Sequence, residues 1–341
     1  MLKKLYHKLW DTAEKFYKPR DALISENVGV KTNLFYGQDK KNNSYDVFFP
    51  KGKLQKIPTI FFVHGGGYVS GNKEGTRNFC HLLAEKGFLV FNMEYTKCGK
   101  EEIKYFPTPV YEFFDFYKHI SELSDFSSLI DYDNIFLSGD SAGSHIVSLV
   151  ANVQTNPELK MEFNLCGGPK VKGLILLSPC FGVYNFKGLF PKKTYQDIIF
   201  GDKKIRNPIC ELSHNFDVLT EAFPPTIMIS VKNDMVVGAH KKIFLEMAEE
   251  LSLSVRHYDL LSGYKLFHSS MINNADKYPN CFEKIEDFVL DACLNRFVSG
   301  VKKENLFELV SEIKQPKKSF VEMEDKVDDD EEIFLATPNV K

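Results

Sequence analysis

The sequence predicts an α/β protein built on one mostly parallel central sheet, covered by helices on both faces. Three observations predict it. Short apolar runs rich in β-branched and aromatic residues alternate with longer segments of helical spacing. Most of those runs are near-continuously apolar, the pattern of strands buried on both faces rather than half-solvated ones. The length, 341 residues with 43% hydrophobic and 26% charged residues, suffices for one large domain with a sizeable core.

The elements follow in order. "VGVKTNLFYG" (28–37) and "SYDVFFP" (44–50) read as an opening pair of strands joined by "DKKNN". "PTIFFVH" (58–64) is a third strand. "GTRNFCHLLAEKG" (75–87) has helical spacing and ends on a glycine suited to a C-cap. "FLVFNMEY" (88–95) returns to strand, 107–124 to helix, and "NIFLSG" (134–139) to a buried strand. "SAGSHIVSLVANVQ" (141–154) is a helix. Strands follow at 171–180, 226–231 and 253–260, with helices at 239–252 and 281–298. No internal repeat interrupts this rhythm. Two segments stand outside it. Residues 181–223 are too long for an ordinary connection and rich in aromatics, which predicts helices of their own or a lid. Residues 314–341 open with "KQPKKS" and end acidic, a composition that predicts a disordered tail.

Charge and cysteines narrow the function. The formal net charge is −3, and residues 321–341 hold eight acidic residues against two lysines, so the remainder is mildly basic. A general nucleic-acid binder would carry a larger basic surplus. The seven cysteines are odd in number, widely spaced and form no C-x-x-C, which disfavours disulfides and zinc. Buried thiols in a reducing, cytoplasmic setting fit better. The N-terminal stretch carries lysines throughout and no signal-like apolar block, and no run approaches 18 apolar residues. Leu2, Leu5, Leu9 and Trp10 at helical spacing are compatible with membrane-surface contact, although packing on the chain's own domain is the favoured reading. Oligomeric state is not legible.

The most informative string is "IFLSGDSAGSHIV" (135–147), a G-x-S-x-G formed by Gly139, Asp140, Ser141, Ala142 and Gly143 between an apolar strand and a helix. A serine on such a strand-to-helix turn has its hydroxyl exposed, and flanking side chains would clash with neighbouring elements. The helix N-terminus behind it favours negative charge. Upstream, "FFVHGGGYVSGN" (61–72) places His64, Gly65, Gly66, Gly67 and Tyr68 directly after a strand. Glycines let backbone N–H groups approach a substrate oxygen on which charge develops. A dinucleotide loop is disfavoured because Ser70 stands where G-x-G-x-x-G needs its last glycine. His64 reads as a loop anchor rather than a base. Ala142, next after the serine, offers a further N–H. Tyr68 and Asp140 are the candidate substrate-binding side chains, with simple packing the alternative for Tyr68.

HGGG and GDSAG together resemble the α/β-hydrolase superfamily, specifically its hormone-sensitive-lipase-like carboxylesterases, over roughly residues 28–298. "YFPTPVYE" (105–112) and "FPPTIMISVKNDMVV" (223–237) are similar to that family's Pro-rich segment and acid-bearing loop. The resemblance implies that the Gly66, Gly67 and Ala142 amides form the oxyanion hole. It also implies the order serine, acid, histidine. Asp234 is the first acid after the strand at 226–231, whereas Asp259 lies within or at the end of a strand. His268 follows the last strand by a loop, whereas His257 falls inside the strand, so the loop histidine is the better base. The chain departs from the family at Ser269 and Ser270, where a glycine and an aromatic are usual, and at "YTKCGKEEIKY" (95–105). His145 reads as a packing histidine.

The expectation is therefore a serine hydrolase using Ser141, Asp234 and His268 through an acyl-enzyme on short to medium acyl or aryl esters. No cofactor or metal is required, and the partner is a small-molecule ester. An amidase or peptidase with the same triad and a non-catalytic hydrolase-fold binder are the alternatives. The domain reading is a catalytic body at 28–313, cap elements at 1–27 and 181–223, and the tail at 314–341.

Overall fold

The apolar runs become the strands of one nine-stranded sheet. The computed structural model describes residues 5, 8, 23, 25–53, 55–99, 104–123, 125–182, 192–204, 206–213, 216–263 and 266–307. The strands are β1 (Val28–Phe35), β2 (Ser44–Pro50), β3 (Ile57–Val63), β4 (Leu89–Met93), β5 (Ile130–Asp140), β6 (Val171–Leu177), β7 (Thr226–Val231), β8 (Ser254–Ser262) and β9 (Gly300–Phe307). Their spatial order is β1-β2-β4-β3-β5-β6-β7-β8-β9. β2 runs antiparallel to both β1 and β4, and every pairing from β4 to β9 is parallel. This is the α/β-hydrolase fold, with the parallel strands' C-terminal ends along one edge.

Strand geometry explains the near-continuous hydrophobicity. Successive side chains alternate faces, so Phe61 and Val63 enter one core cluster while Ile60 and Phe62 enter another. The first cluster contains residues of α2 (Thr108–Leu123), α3 (Ala142–Thr155) and α6 (Gly238–Glu250). The second contains residues of α1 (Arg77–Glu85) and α7 (Pro279–Cys293). Two further helices are α4 (Pro157–Glu162) and α5 (Lys192–Ile199), and a single helical turn spans Ser270–Asn273.

Two features differ from the sequence reading. The last helix stops at Cys293 rather than 298, because Asn295 adopts φ 54° and the left-handed conformation ends the helix. A ninth strand then follows. Its "KKEN" centre is exposed and reads as polar chain, yet β9 pairs with β8 as an edge strand, where charged residues are common. Within 181–223 the structure shows α5 and a short turn at Pro208–Ser213. The Phe106 amide donates to Ile199 O (2.8 Å) and Cys210 Sγ donates to Phe106 O (3.0 Å), which fasten this insertion to the chain before α2. Most of 1–27, with Leu2, Leu9 and Trp10 of its apolar face, and all of 314–341 lie outside the described residues. Among the described residues no helix is long and apolar enough to cross a membrane.

Candidate active site

The candidate residues gather at the C-terminal ends of the parallel strands, where loops are free to carry chemistry. The β3/β5 and β5/β6 registers pair Val63 with Gly139 and Asp140 with Leu177. The loop after β3, the turn after β5 and the loops after β7 and β8 therefore meet.

Ser141 caps α3 with φ 49° and ψ −115°, a conformation sparsely populated by any residue with a side chain. Holding it costs of order 1–3 kcal/mol, which the surroundings must offset. Its amide donates to Leu177 O (2.9 Å) and its carbonyl accepts from Cys180 N (3.1 Å). Close backbone packing does the rest. A Cβ at Gly139 would lie 2.5 Å from Gly143 C, and one at Gly143 would lie 2.1 Å from Val63 O. Both glycines of the motif are thus sterically required.

His268 joins the serine to the acid. Its Nδ1 lies 2.7 Å from Asp234 Oδ2 and its Nε2 lies 2.9 Å from Ser141 Oγ. A carboxylate accepts only, so Nδ1 carries the proton and the Nε2 lone pair faces the serine hydroxyl. Asp234 Oδ1 accepts from the Val236 and Val237 amides (2.9 and 3.1 Å), which orients the carboxylate. Burial works to raise the Asp234 pKa, but the His268 hydrogen bond and charge, helped by those amides, hold it below the ordinary carboxylate value. After the histidine, Ser269 takes φ 55° and its amide donates to Ser178 Oγ (3.3 Å). The departure from glycine therefore keeps a left-handed backbone, at a cost of about 1–2 kcal/mol.

The HGGG loop is shaped by steric necessity and by side chains. Gly66 (φ 114°), Gly67 (φ 58°) and Tyr68 (φ 69°) form a run of positive φ. A Cβ at Gly66 would lie 2.1 Å from Ser70 O, and one at Gly65 would lie 2.4 Å from Asp140 Oδ2. Asp140 Oδ1 accepts from Gly65 N (2.7 Å). Burial raises the Asp140 pKa and that amide bond only partly opposes it. His64 anchors the loop's base: Nδ1 faces Gly65 O (2.6 Å), Nε2 faces Glu94 Oε1 (2.9 Å), and the ring stacks on Tyr95 at 4.3 Å. Burial would raise the Glu94 pKa, but Lys97 and His64 beside it drive it far below the usual range. Lys97 Nζ also donates to Glu94 Oε1.

The structure thus brings Ser141, Asp234 and His268 together and ties Gly65 of the HGGG loop to Asp140 of the serine turn. The candidate substrate-binding residues Tyr68 and Asp140 are buried, and their polar atoms engage protein partners. His257 and Asp259 point elsewhere: His257 Nε2 meets Ser230 Oγ (3.1 Å) and Asp259 pairs with Lys241 (2.6 Å). Sequence reasoning missed Glu94. Its one signal is an acid closing the apolar run "FNME" just where a polar partner for His64 is needed.

Fold and geometry together define an α/β hydrolase with a serine–histidine–aspartate arrangement. Residues 45–248 match the BD-FAE family model, more than half of the chain, and the chain belongs to that family. Among curated proteins it is similar to a putative α/β hydrolase of Acanthamoeba polyphaga mimivirus, 23% identical over 58% of this chain and 57% of that protein. It is also similar to the isoprenylcysteine alpha-carbonyl methylesterase of Arabidopsis thaliana, 25% identical over 60% of this chain and 49% of that one. The chain spans about half the length of the curated relatives it matches. Among solved structures, esterase B from Lactobacillus rhamnosis superposes with a TM-score of 0.75 at 20% identity, covering 87% of this chain and 98% of that one. A bacterial heroin esterase gives 0.61 at 19%, covering 86% and 91%.

Proposed function

We propose that the protein hydrolyses carboxylic esters through an acyl-enzyme. Ser141 Oγ attacks the ester carbonyl while His268 Nε2 takes its proton. Asp234 keeps the imidazole in the Nδ1–H tautomer and stabilises the imidazolium that forms. The Gly66, Gly67 and Ala142 amides donate to the oxyanion. His268 then protonates the departing alkoxide, activates a water, and the acyl-enzyme is hydrolysed. The single observation that carries this reading is the continuous Ser141–His268–Asp234 hydrogen-bond chain on a strained serine backbone. The relatives' names include methylesterase, and those of the structural neighbours esterase, which supports ester over amide chemistry. The aromatic insertion at 181–223, read as a cap, suits short to medium acyl or aryl groups.

The test is turnover of short-chain aryl esters by wild type, Ser141→Ala and Asp234→Asn. Wild type should turn over, Ser141→Ala should lose about 10⁶-fold in kcat, and Asp234→Asn about 10⁴-fold. No turnover by the wild type would overturn the reading. Near-wild-type activity of Asp234→Asn would mean that another acid serves.

A further inference from the structure

The oxyanion hole in this reading has two halves on different elements. Gly66 and Gly67 lie on the loop after β3, and Ala142 lies at the start of α3. Something must fix the gap between them, because donors act only where the developing oxyanion will be. Bonds within the loop close its turn on Gly66 O (Val69 N 3.2 Å, Ser70 N 3.0 Å), but Tyr68 at its far end is a bulky residue held at φ 69°, a conformation that relaxes unless tied down.

Two side-chain bonds join the loop to the serine turn and its helix: Asp140 Oδ1 holds Gly65 at the near end, and Tyr68 meets His145 at the far end. Tyr68 Oη lies 2.8 Å from His145 Nδ1, and His145 sits one helical turn beyond Ser141 on α3. His145 Nε2 lies 2.7 Å from Ser213 O, in the insertion's short turn. A carbonyl only accepts, so Nε2 carries the proton and Nδ1 of the neutral ring accepts from the Tyr68 hydroxyl. The ring is boxed in further: it stacks on Phe106 (5.2 Å, 9°) and meets the Tyr68 ring edge-on (5.7 Å, 89°). Both side chains are buried. At the other end of the tyrosine, its carbonyl accepts from Cys98 N (2.8 Å).

Resting on the ester-hydrolase reading, we propose that the Tyr68–His145 hydrogen bond sets the spacing between the two halves of the oxyanion hole. His145 is a positioning residue whose tautomer is fixed by the Ser213 carbonyl. Neither side chain touches the reacting atoms. Their effect falls on the transition state, where the donors must converge, and not on ground-state binding.

The test is steady-state hydrolysis of a short-chain aryl ester by Tyr68→Phe, His145→Leu, the double variant and His145→Asn. Each of the first two should lower kcat about tenfold with KM within about twofold, since a small misplacement of donors acts on the chemical step. The double variant should be no slower than Tyr68→Phe alone, because both single variants remove the Tyr68–His145 bond and Tyr68→Phe also gives up the 3.4 Å contact of its hydroxyl with Cys180 Sγ. His145→Asn should recover most of kcat, as its Oδ1 occupies the place of Nδ1. A wild-type kcat for Tyr68→Phe, or losses that multiply in the double variant, would overturn the proposal. If His145→Leu does not fold, Tyr68→Phe and His145→Asn decide it by the same criteria. The proposal concerns ratios to wild type, so a wild type without turnover overturns the ester-hydrolase reading and is distinguished from failure of the positioning claim.

Discussion

The serine turn and the HGGG loop are both strained, but they are held in opposite ways. At Ser141 the restraint is steric and local. Gly139 and Gly143 leave no room for any Cβ, and backbone hydrogen bonds to Leu177 and Cys180 finish the turn. At the HGGG loop the glycines permit the shape, and distant side chains hold it. Asp140 ties Gly65, Glu94 and Tyr95 clamp His64, and His145 meets Tyr68. A turn of the first kind should fail as a unit with the fold. A loop of the second kind should fail gradually, in activity before stability.

The largest effect should therefore come from Gly143→Ala. Its new Cβ would meet the Val63 carbonyl at 2.1 Å, against rigid strand backbone. The expected loss is more than about 4 kcal/mol, seen in urea unfolding or as failure to recover soluble protein. Next comes Gly66→Ala, where the Cβ would meet Ser70 O at 2.1 Å from a backbone at φ 114°. Ser70 is buried but lies in a loop outside the regular elements, which yields further than strand backbone, so the protein should fold while kcat falls about 10²–10³-fold, the usual cost of one oxyanion donor. Equal unfolding losses for the two glycines would erase the contrast.

Much of this was legible in the sequence. Eight strands and the helices flanking the serine follow from periodicity, because burial on both sheet faces leaves a local apolar imprint. Ser141, Asp234 and His268 could be picked out because each lies just past a readable strand end. The rest depended on pairing across long separations. β9 was missed because an edge strand may be as polar as a loop. Beyond the acid that closes its apolar run, Glu94 carries little local signature of its task, and His145 carries none, since these tasks depend on His64 and Tyr68 far away in the chain. For Tyr68 and Asp140, adjacency to the motif likewise does not say which protein partners the side chain takes up.

A region away from both turns supplies the smallest effect and a control. Asp259 on β8 pairs with Lys241 and lies beside His257 (3.4 Å). Burial works to raise its pKa, but His257 and Lys241 bring it from 3.8 down to about 2. The folded value lies below the unfolded one, so the stabilisation is complete above about 3.8 and disappears as pH falls through about 2. With the side chain 24% exposed, the contribution is about 1–2 kcal/mol. Asp259→Asn should lose that much in urea unfolding at pH 7, with the deficit shrinking toward pH 2, and should leave kcat within about twofold. A deficit independent of pH would mean that the ion pair is not its source.

The central claim is that Ser141 is a nucleophile poised by His268. Reaction of the full-length protein with a fluorophosphonate, followed by peptide mapping by mass spectrometry, tests it most directly. One adduct on Ser141, formed rapidly in the wild type and strongly slowed in His268→Ala, is the predicted result. An unlabelled protein, or an adduct that forms at the same rate without His268, would contradict it.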